Sequence, residues 1–360
     1  MPRPDVAPPT STADGARGAR VRALVRKPEF WGVVAILGLL GLNLLNDPGY
    51  LELSYSANTG GLTGNLIDIL RASAPILMIS VGMCLVIATE GIDLSVGSLM
   101  AVSGAVAMEI MSSRPDTLGA ALLAIALGLA LCVGLGVLNG LLIAVVGLQP
   151  FITTLVMLLA GRGLAKVITS GLNTTASNDA YRWVANGYVL GLPVVFVLAV
   201  AITAAVMLVV RRSALGLMIE SLGINAEASR LAGIKRRDLL ITVYAASGLL
   251  AGVAGIFATS TVMTVDVSQT GYQLELDAIL AVVIGGTSLA GGTFSLTGAA
   301  VGALLIATLD KTVVFLGVPS SATPAFKAVV IIALYIAQSE RARAALPTFG
   351  RRRRDEVTTP

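Results

Sequence analysis

An all-α, polytopic membrane protein is predicted by three features of this 360-residue chain: an apolar excess, a division into runs of span length, and basic charge gathered in few places. Hydrophobic residues make up 55% of it and charged residues 13%, with mean hydropathy +0.85, far from the balance of a water-soluble domain. A transmembrane helix needs about 20 mostly apolar residues. Runs of that kind fall at 30–46, 66–88, 96–112, 118–146, 150–170, 191–210, 239–258, 276–290, 297–316 and 325–338. They predict about ten spans in a membrane domain covering 30–338. The runs at 96, 276 and 325 are short or interrupted by polar residues.

Residues 1–29 form the first element, a basic tail rich in Pro, Ala, Gly and Arg that is expected to be solvated and disordered. A signal peptide is the rival reading, but Asn43 to Gly49 (NLLNDPG) has no small-residue cleavage pattern. A retained anchor fits better. Asn65, Asp68 and Arg71 open the second span, where water reaches them. Between the second and third spans, Thr89 to Ser98 reads TEGIDLSVGS, placing Glu90 and Asp93 where a charge is costly unless capped, paired or wetted. Either Asp93 or Ser95 caps the next helix, or the break lines a pathway, as discontinuous helices do in transporters. Gly285 to Gly298 (GGTSLAGGTFSLTG) is a second break with the same two readings. Glu90, Asp93, Ser95, Phe151, Thr287 and Ser288 are the candidate pathway residues.

Arg162 and Lys166 share one face of the fifth span, four residues apart, and are expected to snorkel to the boundary. Asp310 and Lys311 are adjacent in the ninth span, so they point apart, and Lys327 begins the tenth. Each is expected to anchor or pack a helix.

The interior segment Arg211 to Asp238 carries six Arg or Lys against three acids. Lys and Arg resist translocation, so this loop is expected in the cytoplasm, together with the tails bearing Arg17 to Lys27 and, in residues 339–360, Arg351 to Arg354. Ten spans satisfy that orientation. Within the loop, Asn225 is placed to cap a short helix over 226–232, and Gly233 to stop it. Such a helix suits the groove of a soluble partner.

The sequence also excludes much. No histidine occurs anywhere, removing His catalysis, His metal ligation and a His proton relay. Cys84 and Cys132 lie inside apolar runs and read as small core residues. No GxxxxGK[ST] occurs, so ATP-driven transport would need ATP hydrolysis by another polypeptide. Asp266, Glu275 and Asp277 have no catalytic base beside them in sequence. The chain reads as a non-catalytic transport subunit with no cofactor, no metal and no nucleic-acid partner.

The residues also carry a family resemblance. TEGIDLSVGSLMAVSGA (89–105), QPFITTLVMLLAGRG (149–163), GINAEASRLAGI (223–234) and LELDAILAVVIGGTSLAGG (274–292) resemble permease subunits of bacterial ABC importers for monosaccharides, the ribose and galactofuranose type. The stretches at 168–171 and 274–286 are most similar to galactofuranose permeases. The resemblance implies a ten-helix inner-membrane permease paired with a second permease subunit, identical or paralogous. ABC ATPase subunits would lie below and an extracytoplasmic sugar-binding protein above. It also implies that Glu227, Ala228, Ser229, Arg230 and Gly233 form the coupling helix, matching an E-A-A-x-x-x-G pattern in which Ser229 replaces the second Ala. Branched-chain amino acid and nucleoside permeases are more distant; GIDLSVGS favours sugars, with other polyols open. The alternative is an ion-coupled secondary transporter, for which Glu90 and Asp93 are the candidate coupling acids.

Overall fold

A computed structural model describes residues 27–56 and 60–338; residues 1–26 of the first tail and the whole of the tail at 339–360 lie outside them. Proline and side-chain caps set several helix starts. Helix α1 (Pro28–Asn46) opens on Pro28, at a position whose N–H has no helical partner in any case. A hairpin of β1 (Ser54–Ser56) and β2 (Gly61–Thr63) follows, then α2 (Asn65–Ala88) and α3 (Val96–Ser112). Thr117 caps α4 (Leu118–Leu141) by accepting from the Ala120 N–H at 3.2 Å. That helix widens into a π turn over Leu142–Val146 before α5 (Pro150–Ile168), which again begins on proline.

The next stretch holds β3 (Thr174–Thr175), α6 (Asp179–Asn186), β4 (Tyr188–Val189) and β5 (Leu192–Pro193). Helix α7 (Val194–Arg212) leads into the basic segment, built of α8 (Leu215–Ile224) and α9 (Ala226–Leu231). Last come α10 (Arg236–Val262), β6 (Thr264–Val265), α11 (Leu274–Ile284), α12 (Leu296–Phe315) and α13 (Thr323–Gln338).

Seven of the described helices are long and apolar enough to cross a membrane. Three of them form the centre: 78% of the α2 span, 67% of α10 and 61% of α12 is buried, against 17–28% for α1, α4, α5 and α7. Helix α10 packs along α2, α3 and α4, while α12 packs on α2, α11 and α1. The less buried helices turn residues such as Leu45, Leu159 and Val167 outward, the surface a bilayer accepts.

Each of the ten apolar runs coincides with a helix, but three details differ. The run at 276–290 stops at Ile284, because Gly285 lies so close to the Gly298 backbone that a Cβ would collide with it, and Gly286 takes φ +90. The basic segment is less loop-like than its charge suggests. Ile219 and Leu222 bury one face of α8, leaving 213–235 between α7 and α10. The amphipathic α6 and the short hairpins are further elements that the apolar runs do not reveal.

The bundle has two distinct ends. At the basic end, a Cβ at Gly286 would meet Pro28 and one at Gly292 would meet Ile224, so the start of α1, the break after α11 and α8 lie together. The opposite end carries β3 paired with β6, the bond from Leu62 N to Gly191 O at 3.1 Å, and the Lys311–Asp68 ion pair at 2.8 Å. The lead-ins to the two short helices α3 and α11 differ. Residues 91–95 enter the bundle, where the Ile92 carbonyl accepts from Thr154 Oγ1 at 2.9 Å. Between β6 and α11, Val267 and Gly271 turn inward, Gly271 standing against Gly97 at the start of α3, while Ser268, Gln269 and Tyr272 stay exposed.

Candidate translocation and coupling site

Helix α9 takes the form its sequence requires. Asn225 Oδ1 accepts from the N–H groups of Glu227 at 3.0 Å and Ala228 at 2.9 Å, satisfying two otherwise orphaned donors. Gly233 takes φ +85 just beyond the helix, a conformation glycine adopts without a Cβ penalty. Arg230 Nη2 pairs with Glu227 Oε1 at 2.6 Å on the exposed face. That hydrogen bond holds the Glu227 carboxyl below the usual range. Ala228 is exposed, whereas Ser229 is buried, so the Ser-for-Ala difference faces inward. Beside it, Leu215, Met218, Ile234, Leu239 and neighbouring residues line a cavity of about 440 Å³.

The basic segment is clasped to both breaks. Gly292 N donates to Ala88 O at 3.0 Å, and a Cβ at Gly223 would collide with both atoms. Glycine at 223 therefore lets the end of α8 seat where the end of α2 meets the loop after α11. Glu90, with φ +62 and an exposed side chain, lies against Gly291 in the same junction.

Further into the bundle lies a polar cluster. Asp93 Oδ1 accepts from Ser95 N at 3.0 Å and Ser95 Oγ at 2.5 Å, and Oδ2 accepts from Ser247 Oγ at 2.7 Å. Asn139 Nδ2 donates to Ser95 Oγ at 3.0 Å. All four residues are 0% exposed. Asp93 thus forms the turn that starts α3 and also bolts it to α10, two uses of one carboxylate where sequence reasoning foresaw a cap or a pathway.

The remaining candidates are dispersed. Thr287 is buried, with its Oγ1 3.4 Å from Cys84 Sγ and accepting from Ser295 N at 3.2 Å. Ser288 Oγ accepts from Ala290 N at 3.2 Å in the same loop. Phe151 is exposed in the first turn of α5, three residues before Thr154, whose hydroxyl reaches Ile92. Cys84 and Cys132 are buried free thiols.

Arg162 turns inward where Lys166 stays exposed; it donates to Thr270 O at 2.5 Å and Val267 O at 3.4 Å. Residues expected merely to anchor the second span have partners. Asn65 Nδ2 reaches Tyr50 O at 3.1 Å, and Arg71 reaches Tyr188 Oη at 2.9 Å. Sequence reasoning missed one cluster altogether: Lys327 Nζ lies 2.9 Å from Asp277 Oδ2 and 2.8 Å from Asp310 Oδ1. Each of the three charges sat in a different apolar run, and no spacing rule linked them. No group of three His, Cys, Asp or Glu suited to a metal occurs among the described residues.

Comparison with known proteins agrees with this architecture. The chain is similar to the fructose import permease protein of Bifidobacterium longum, 53% identical over 89% of this chain and 90% of the relative. It is similar to the galactofuranose transporter permease protein of Escherichia coli K12, 40% identical over 86% and 89% respectively. The ribose import permease protein of that strain is 38% identical over 86% and 93%. The fructose relative thus shares more identity than the galactofuranose one towards which the sequence stretches pointed. No solved structure matches. The family described as branched-chain amino acid transport system / permease component matches residues 65–337, and the chain belongs to that family of ABC importer permeases.

Proposed function

We propose that this chain is the membrane-spanning permease subunit of an ATP-driven importer and forms the pathway for a monosaccharide. The observation that carries the reading is α9: a short helix capped by Asn225, stopped at Gly233 and displayed between two membrane helices, with α8 clasped between the breaks that follow α2 and α11. Motion of a docked ATPase at α9 would pass through Gly223 into Ala88 and Gly292, and so into two discontinuous elements of the bundle. Rigid-body motion of this kind transmits a population shift through packed contacts.

In this reading the basic end faces the cytoplasm, both tails lie there, and the membrane domain spans roughly 30–338 in a bacterial inner membrane. Glu227, Ala228, Ser229, Arg230 and Gly233 present the coupling surface to the ATPase. Glu90 and Ser288 stand at the cytoplasmic end of the pathway. A second permease subunit completes the pathway, and an extracytoplasmic binding protein delivers the sugar at the opposite end. The relatives' names favour a pentose or hexose. The secondary-transporter alternative finds less support, because Asp93 accepts three hydrogen bonds that fix the start of α3 and tie it to α10.

Uptake of radiolabelled fructose, galactofuranose and ribose in cells carrying the chain, its neighbouring ATPase and its binding protein tests the reading. Uptake of at least one sugar should require all three components. Uptake that persists without any partner ATPase would overturn it.

A further inference from the structure

A cavity of about 550 Å³ opens between α11 and α13 near the end opposite the basic segment. Gln273 and Thr323 stand at the first turns of the two helices, Asp277 and Lys327 one turn further along, and Leu276 and Leu280 on its apolar wall. Lys327 bridges Asp277 and Asp310, tying α13 to α11 and α12 at 2.9 and 2.8 Å. Two carboxylates against one ammonium leave a net negative charge. Asp310 lies five residues from the end of α12, about 7 Å along the axis, and its neighbour Lys311 pairs with Asp68.

An unbalanced charge set into membrane-spanning helices is tolerated where it faces a water-filled cavity rather than hydrocarbon. That condition points to an aqueous vestibule and disfavours an acyl chain against Asp277. Helix α11 is also discontinuous. Beyond Ile284 its chain breaks and runs to Gly292, which bonds Ala88 beside Gly223. One half-helix therefore bears the cavity at its first end and the junction with the basic segment at its last.

From this arrangement we infer that the cavity receives the monosaccharide as it leaves the binding protein, with Asp277 and Lys327 as its hydroxyl partners and Asp310 as the residue that positions Lys327. The inference rests on the monosaccharide-permease reading. An ammonium has three donors, two of them engaged by carboxylates here, and a carboxylate has about four acceptor sites. Lys327 thus retains one N–H for a hydroxyl oxygen, and Asp277 can accept hydroxyl protons. Leu276 and Leu280 offer the apolar surface against which a sugar's C–H face packs.

The test uses the full complex in proteoliposomes, with ATPase and loaded binding protein. Asp277→Asn keeps the side-chain shape and the Lys327–Asp310 pair. It should cut maximal uptake by about ten-fold or more, while half-saturation, set by the binding protein, and ATPase stimulation stay near wild type. In a Cys84→Ala, Cys132→Ala background, Leu280→Cys should react with a charged, membrane-impermeant thiol reagent from the binding-protein side. Labelling by a lipid-soluble maleimide alone would show a lipid-filled cleft and overturn the inference. So would wild-type uptake by Asp277→Asn in a system whose uptake requires the ATPase. Wild-type uptake without the ATPase would instead overturn the permease reading beneath it.

Discussion

Ser247 Oγ donates to Asp93 Oδ2 at 2.7 Å, fastening the break before α3 to the middle of α10, the helix around which α2, α3 and α4 pack. With Ser95 N and Ser95 Oγ on the other oxygen, the carboxylate spends its acceptors on structure. Asp93→Asn should preserve the turn, because its carbonyl oxygen still accepts from Ser95 N and Ser247 Oγ can accept from the new amide. Asp93→Leu strands buried donors, at about 1–3 kcal/mol each, and should sharply lower the amount of folded protein. Membrane abundance by immunoblot and uptake separate these outcomes. An Asn variant that is abundant yet transports nothing would show that the charge itself is needed.

Sidedness can be read with single cysteines in a Cys84→Ala, Cys132→Ala background. Ser229 is a poor probe because it is buried, whereas Ala232 is exposed near the end of the basic segment. Tyr55 and Ser177 are exposed at the opposite end. In whole cells an impermeant maleimide should label Tyr55→Cys and Ser177→Cys and spare Ala232→Cys until the membrane is opened. Labelling at 232 in intact cells would reverse the orientation.

Much of this architecture was legible in the chain because span-length apolar runs and a basic loop are one-dimensional signals. The cap and stop of α9 were legible for the same reason: Asn225 and Gly233 act on backbone within a few residues. What stayed hidden depends on encounters between distant segments. Lys327 meets Asp277 across 50 positions, and the end of α11 is set by the approach of Gly298 to Gly285. Helix α8 was masked by charge on both sides of it, although its buried Ile219 and Leu222 are three apart on one face. The pathway candidates drawn from the two breaks lie dispersed for a related reason. Polarity in an apolar run signals a break, but a break buried in the bundle spends its polar groups on its own turn and on neighbouring helices, as Asp93 and Ser95 do with Ser247 and Asn139.

The coupling helix yields a prediction with two arms. Glu227→Arg places two like charges where Glu227 and Arg230 now pair at 2.6 Å, changing the exposed face that an ATPase would meet. A Cβ at position 233 meets no neighbour within 4 Å, so the main cost of Gly233→Val is backbone strain at φ +85, of the order of 1 kcal/mol or more. Both variants should reach the membrane in normal amount, since neither residue lies in a span. Both should lose sugar uptake and co-purification with the ATPase. Normal uptake in either variant would detach α9 from coupling.

The clasp at Gly223 should be the most sensitive glycine of the basic segment. Gly292 N and Ala88 O are bonded at 3.0 Å, and a methyl at 223 would collide with both atoms. Because both are backbone, no rotamer change relieves the collision, and either α8 retreats or the hydrogen bond opens, at about 1–3 kcal/mol. Gly163→Ala is the control: it sits inside α5 with nothing within 4 Å, where alanine should be neutral or stabilising by about 0.5–1 kcal/mol. In detergent, Gly223→Ala should lower the melting temperature by several degrees relative to Gly163→Ala, which shares the same added mass. In the reconstituted complex it should also depress ATPase stimulation by loaded binding protein, since force from α9 would no longer meet a seated junction. Equal melting temperatures and equal stimulation in the two variants would show that α8 is free to slide and that coupling runs by another route.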